Sequence, residues 1–405
     1  MDPMTTASGP PDVALDALLA DLRAEAPAQI AARTNETWLR LAGPSPSGVV
    51  IFGCGQLGRF VLPGVRAAGL LPLAYCDNNP RLWGTEIDGV PVLAPVEAVE
   101  RFGATVPFLV AIYNASPVRL QLAELGCRWI VPYPAFFWEH SACLPAEEGL
   151  DLPQRIAGHL PEIEAAYELL DDDRSRREYL AQIRWRCLLD YDCLPARDRP
   201  ADMYFPPDLV SLSGSEVLVD CGAFDGDSIR LFLEKTAGRF ARIHAFEPDA
   251  RNIAALTAYL GTLPEETAAR IEVQRCALGR ANGFVRFSAE GTVGSKVSGA
   301  GTVEIPCRTL DSALAGCVPT FVKMDIEGAE IDAIPGAARI AVECRPILAA
   351  CAYHRCSDLW TLPGLLKAAN PEYRVFLRRY AEECWETVYY AIPPERLPGR
   401  NREPL

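Results

Sequence analysis

The stretch that decides the fold is "EVLVDCGAFDGDS", residues 216–228. A short apolar run ends in Asp220, glycines follow at 222 and 226, and an amphipathic run, "DSIRLFLEK", opens at once. Strand, glycine turn and helix in that order begin a βαβ unit whose turn lets backbone approach a ligand. The pattern repeats downstream. Strands are expected at 216–220, 242–247, 271–276, 320–325 and 346–354, with helical segments such as "PDARNIAALTAYL" between them. A closing pair, 373–380 and 386–393, reads as a hairpin. The prediction is a doubly wound, mostly parallel α/β sheet with an antiparallel edge hairpin.

Upstream, "VVIFGCGQLGR" (49–59) is a second strand, turn and helix start. Gly53, Gly55 and Gly58 match GxGxxG, and Asp77 lies 24 residues after Gly53, where a ribose-binding acid belongs. Later strands at 106–114 and 128–134 make this a Rossmann-like domain of its own. The expected organisation is a helical lead-in and linker over 1–46, a Rossmann-like domain over 47–145, a helical connector over 146–210, a second α/β domain over 211–395 and a tail over 396–405.

Thirty-nine basic against 53 acidic side chains give a net charge of −14, which repels nucleic acid and anionic membrane surfaces. The 14 cysteines are scattered and form no CxxC pair, so neither a zinc site nor a redox dithiol is indicated. Reduced core thiols fit a cytoplasmic protein. The first residues show no basic segment followed by an apolar one, and no apolar run approaches membrane-spanning length, so a soluble chain without a membrane span is expected.

In open α/β sheets, ligands bind beyond the carboxyl ends of the strands. Those ends carry Asp220, Glu247, Cys276, Asp325 and His354 in the C-terminal half. The turn after Asp220 lacks GxGxxG, and Asp220, Asp225 and Asp227 would oppose a pyrophosphate at the helix start. The same acids tolerate a ligand with an ammonium and a sulfonium. Glu247 stands at the end of the next strand, placed to accept hydrogen bonds from a ribose diol. An acidic glycine turn followed by a ribose-binding acid suits S-adenosylmethionine better than NAD.

Six ordered pieces now carry a resemblance: "VDCGAFDGDS", "AFEPD" (245–249), "CALG" (276–279), "TLDSAL" (309–314), "VKMDIEGAEIDAIPGA" (322–337) and "YHRCSDLWTLP" (353–363). Residues 170–395 resemble the FkbM-type family of S-adenosylmethionine-dependent methyltransferases. The resemblance implies a methyltransferase domain over 211–395 that leaves S-adenosylhomocysteine as product. It implies a donor held by Asp220, Gly222, the turn Ala223, Phe224, Asp225, Gly226, Asp227 and Ser228, then Glu247 and Pro248, with adenine near Cys276, Ala277 and Leu278. Members are mostly O-methyltransferases of sugars, glycans or natural products, so the expected acceptor is a hydroxyl on a small molecule or glycan. His354 or Asp325 is a candidate base, since both close strands on the donor side. Asp325 and Glu327 alternatively orient the donor, cap the next helix or hold Mg²⁺; two carboxylates at this spacing do not make a metal site, and no metal is expected.

The segment "FGCGQLGR…AYCDNNPRLWGTEIDGVPVLAP" resembles the N-terminal nucleotide-binding domain of sugar O-acyltransferases over about 50 residues, without the acyltransferase part. Three readings of Gly53, Gly55, Gly58 and Asp77 stay open: NAD(P) binding, a nucleotide-sugar or sugar module, and a docking surface. The rivals to methyl transfer are a nucleotide-sugar-modifying oxidoreductase using this turn and a non-catalytic donor-binding module. Three smaller expectations remain: a lid over 288–305, an anion-facing role for Arg378 and Arg379, and a solvated connector helix carrying Asp171–Asp173. Oligomeric state has no sequence signal.

Overall fold

The computed structural model describes residues 11–44, 46–144, 149–288, 296–297, 301 and 303–398. They form two compact units, one of residues 1–160 and 180–194, the other of 161–179 and 195–405. The stretch expected as a connector, 146–210, is shared between the two. Among the described residues no helix is long and apolar enough to cross a membrane.

The first unit holds a six-stranded sheet made of β1 (Gly48–Phe52), β2 (Leu71–Cys76), β3 (Glu86–Ile87), β4 (Val90–Leu93), β5 (Phe108–Val110) and β6 (Ile130–Pro132). Its order is β3-β4-β2-β1-β5-β6, parallel except for the short β3–β4 pair. β1 is buried along its whole length because helices cover both faces of a parallel sheet. Gly53 turns the chain at φ 110°, and a Cβ on Gly58 would sit 1.9 Å from the Gly53 carbonyl oxygen, so the helix start packs directly on the turn. A Cβ on Gly55 would meet nothing within 4 Å.

The second unit is built on a seven-stranded sheet of β7 (Val217–Cys221), β8 (Arg242–Phe246), β9 (Ile271–Gln274), β14 (Phe321–Met324), β15 (Ile347–Cys351), β16 (Arg374–Arg379) and β17 (Thr387–Ile392). A four-stranded sheet of β10 (Ala277–Leu278), β11 (Gly283–Ser288), β12 (Lys296–Val297) and β13 (Val303–Arg308) accompanies it. The large sheet runs β16-β17-β15-β14-β7-β8-β9, with β17 antiparallel to both neighbours and all other pairs parallel. Each strand expected in this unit is present to within three residues, and the hairpin is the antiparallel edge. The fold is α/β with two sheet-containing units. Most of the expected lid, residues 289–295, 298–300 and 302, lies outside the described residues.

Two expectations are corrected here. Arg378 and Arg379 do not face an anionic ligand: both are buried, Arg378 against Asp172 and Asp208 at 2.8 Å each and Arg379 against Glu178 at 2.6 Å. Nor are Asp171 and Asp172 merely solvated charges. Asp171 accepts a hydrogen bond from the Val375 N–H at 2.6 Å and pairs with Arg374, so the acidic stretch pins the segment before the sheet to its last hairpin.

The two glycines of the first turn differ in a measurable way. Gly58→Ala forces backbone apart and should cost about 3 kcal/mol or more, whereas Gly55→Ala should stay within about 0.5 kcal/mol of wild type. Denaturant unfolding of the two variants side by side checks this.

Candidate active site at the carboxyl edge of the second sheet

A cleft of about 750 Å³, counting its open mouth, lies over the carboxyl ends of four adjacent strands. The turns after β14, β7, β8 and β9 bring their residues to it in spatial order: Asp325, Ile326, Glu327 and Ala329; then Gly222, Phe224 and Asp227; then Glu247, Pro248 and Asn252; then Cys276, Ala277 and Leu278. Phe246, Phe287 and Lys323 complete the wall. One end is therefore rich in carboxylates and the other is apolar.

The turn after β7 is shaped by what lies beneath it. Gly222 has φ 81°, and a Cβ there would fall 1.8 Å from the Asp325 carbonyl oxygen. Lys323 stands directly across from Asp220 in the β7–β14 register. Its ammonium is buried, 3.0 Å from Asp220 Oδ1, and donates to the Gly222 carbonyl at 2.5 Å. Burial disfavours the charge, but the carboxylates of Asp220 and Asp325 outweigh it and hold Lys323 protonated. Asp220 is fully buried, its other oxygen taken by the Ser228 hydroxyl at 2.5 Å. Thus Asp220, Ala223, Asp225, Gly226 and Ser228 are not on the cleft wall. They build the turn from behind, Asp225 facing outward in an ion pair with Arg230 at 2.9 Å. Gly222, Phe224, Asp227, Glu247, Pro248, Cys276, Ala277, Leu278, Asp325 and Glu327 do share the wall.

Glu247 is 5% exposed. It accepts from the Phe224 N–H at 3.0 Å and the Asp249 N–H at 2.8 Å, which fixes its carboxylate between the two turns. Burial raises its pKa despite those bonds. Burial likewise pushes the Cys276 thiol up to about 11, so this wall cysteine is a neutral apolar contact at neutral pH.

At the acidic end, Asp325 receives Tyr204 OH at 2.7 Å, Tyr353 OH at 3.2 Å and the His354 ring at 3.2 Å. Burial would raise its pKa, but His354 and Lys323 more than offset that and hold it well below the usual carboxylate range. His354 is 4% exposed and not on the wall. Its Nε2 meets Asp325 at 3.2 Å and its Nδ1 meets Glu330 at 3.1 Å, with Glu327 at 3.8 Å from Nε2. Burial works against the charged ring, yet Glu330 and Asp325 prevail and raise its pKa well above 6.5. Asp325, Glu330 and His354 do bring ligand-type atoms within 4.8 Å of one another. With a carboxylate on each ring nitrogen, however, the cluster is built around two protons on His354. A doubly donating imidazolium has no lone pair with which to accept a proton.

Four non-glycine residues with left-handed backbone stand around this end: Tyr204, Phe224, Glu327 and Glu386, at φ 66°, 45°, 55° and 52°. Such positions cost about 1–3 kcal/mol each and collect at functional sites. Sequence reasoning missed Lys323, Tyr204, Glu330 and Glu386. Lys323 was detectable, since side chains two apart on a strand share a direction and Asp325 was already assigned to this edge. In the first unit, Asp77 accepts from the Cys54 N–H at 2.9 Å and the Asn79 N–H at 2.8 Å, so it braces the glycine turn.

The comparisons with known proteins place a methyltransferase domain on this fold. Residues 220–383 match the family model described as the Methyltransferase FkbM domain, and the C-terminal unit carries such a domain. The solved Methyltransferase FkbM from Methylobacillus flagellatus KT is 25% identical over 94% of this chain and 98% of its own, with a TM-score of 0.72. Two further structures align more weakly. RSP, a Rex-family repressor, is 28% identical over 22% of this chain and 45% of its own, at a TM-score of 0.19. The methyltransferase domain of bacterial CtHen1 is 13% identical over 44% and 91%, at 0.27. At those scores neither bears on fold or function. No curated protein matches the chain.

The histidine cluster makes a prediction about protons. With a folded pKa above the unfolded value near 6.5, His354 contributes stability that is fully present below that pH and is lost as pH rises through the folded value. Nitrogen-resolved NMR of the four histidines should find the His354 ring titrating well above 6.5, and Glu330→Gln should bring its titration down. A wild-type His354 titrating near 6.5 would refute the assignment.

Proposed function

We propose that the cleft holds S-adenosylmethionine and that the protein transfers its methyl group to a hydroxyl of a sugar, glycan precursor or natural product. The observation that carries this reading is the graded polarity of one elongated cleft. Its apolar end, with Cys276, Ala277, Leu278, Phe246 and Phe287, suits a purine ring. Glu247, next along the rim, suits a ribose diol, because a buried carboxylate between two turns accepts two hydroxyls in fixed geometry. Asp227, Asp325 and Glu327 lie at the far end, where they suit an ammonium and a sulfonium. Lys323 is the one cation on the wall among the described residues, and it is spent on Asp220 and Gly222. A dinucleotide pyrophosphate would meet carboxylates with no free positive partner.

When bound, the donor supplies an already activated methyl group, so the chain's work is alignment. Glu247 fixes the nucleoside, and the Gly222–Phe224 turn allows close backbone approach. Asp325, held ionised by His354 and oriented by Tyr204 and Tyr353, anchors the cationic end. O-methylation of a sugar or natural product follows the FkbM resemblance of the C-terminal unit, and the acceptor enters from the side of β15 and β17, beyond the acidic end.

Calorimetric titration with S-adenosylhomocysteine tests the reading. Wild type should bind, and Glu247→Gln, which keeps one acceptor oxygen for the turn amides, should weaken binding about ten- to a hundredfold, roughly 1.5–3 kcal/mol. Methyl transfer should be unaffected by EDTA. Absence of binding to wild type would sink the proposal.

A further inference from the structure

Asp325 and His354 are bonded to each other and to Tyr204, Tyr353 and Glu330, so neither is free to take the proton of an acceptor hydroxyl. The sheet order shows where to look. The cleft occupies the ends of β9, β8, β7 and β14, so the acceptor side continues over β15 and β17. β17 is antiparallel, and its beginning reaches the same edge as the end of β15: Cys351 pairs with Val388, and the Ala352 N–H donates to the Thr387 carbonyl at 2.8 Å. Glu386 immediately precedes β17, and its carboxylate acts on Tyr353, whose hydroxyl bonds Asp325. Glu386 is half-buried and held at φ 52°, a conformation a glutamate adopts only when its surroundings impose it. The Tyr380 N–H donates to its carbonyl at 3.0 Å and helps fix the bend. Among the described residues its carboxylate carries no hydrogen bond, in contrast to Asp325 with three donors.

We infer that Glu386 takes the proton of the acceptor hydroxyl during methyl transfer. The inference rests on the methyltransferase reading above. In the step, an oxygen lone pair of the acceptor forms the new O–CH₃ bond while the C–S⁺ bond breaks and its electron pair returns to sulfur, neutralising the sulfonium. The hydroxyl proton passes to the Glu386 carboxylate, so charge and atoms balance. The groups acting on Glu386 come from every neighbouring element: Asp325 and Lys323 of the β14 end, Tyr353, His354 and Cys351 of the β15 end, Asp227 after the glycine turn, and Tyr204. Burial and the Asp325 and Asp227 carboxylates raise its pKa to about 7, against the pull of His354 and Lys323. A carboxylate poised there matches what general-base catalysis at neutral pH requires.

The test uses the full chain with S-adenosylmethionine and three hydroxyl probes: UDP-glucose, methyl α-D-glucopyranoside and quercetin. Turnover in wild type should rise with pH through about 7. Glu386→Gln should lower kcat by about 10²–10⁴-fold and abolish that limb, with S-adenosylhomocysteine affinity and melting temperature unchanged. Glu386→Asp should recover part of the rate. Independently of turnover, infrared difference spectra should show a protonated carboxyl that ionises near neutral pH in wild type and is missing from Glu386→Gln; that subtraction excludes Asp358, raised to about 7 by burial and Glu330. Unchanged turnover and limb in Glu386→Gln, or no such carboxyl in wild type, overturns the role of Glu386. Donor-product binding without methylation of any probe, while the carboxyl is present, overturns hydroxyl methylation instead.

Discussion

The carboxyl edge of the second sheet depends on one buried cation. The Lys323 side chain is almost wholly buried, which costs several kcal/mol for an isolated charge. It is repaid because Asp220 lies directly across the strand pair and the Gly222 carbonyl points at the same nitrogen. Two strands, a turn and the start of the next strand end are thereby tied at one atom. The close approach of Gly222 to the Asp325 backbone is a consequence: nothing with a side chain fits between them. Replacing either charge alone would leave the other buried without a partner, the costliest kind of change in a protein interior.

From that tie the chemistry spreads in two directions. Toward β9 the wall turns apolar, and Glu247 is the last acid. Toward β15 the carboxylates accumulate until a histidine must be charged to hold them. Glu330 is fully buried and spends one oxygen on the Ile326 N–H at 2.8 Å and on His354, which keeps the loop after β14 and the end of β15 in one network. The left-handed backbone of Glu327 sits on the loop that this network holds. Rigidity at the acidic end is what alignment of two reactants asks of a protein.

Most of this fold was legible because a glycine turn after an apolar run, repeated with helical spacers, leaves few topologies open. The strand ends were legible too: Glu247, Cys276 and Asp325 were placed on a rim by counting strands alone. What the sequence hid were directions. Asp220 ends a strand as expected, but it points behind the turn because Lys323 comes from the neighbouring strand, and strand adjacency is a tertiary fact. Arg378 and Arg379 looked like free cations on a hairpin, since their acids lie some 200 residues earlier in the chain. Nothing local to His354 shows that Glu330 waits on its far nitrogen.

Those distant acids bear on the order in which the chain is made. Asp171, Asp172 and Glu178 leave the ribosome long before the arginines they will neutralise, and β17 is inserted between β15 and β16 only at the end. The second unit therefore cannot close during synthesis and must wait for its final hairpin, a topology of high contact order. Its boundary also lies outside the stretch that matches the FkbM domain model: a fragment of residues 220–383 would keep β16 with its three arginines and lose their acids and the strand that joins β16 to the sheet.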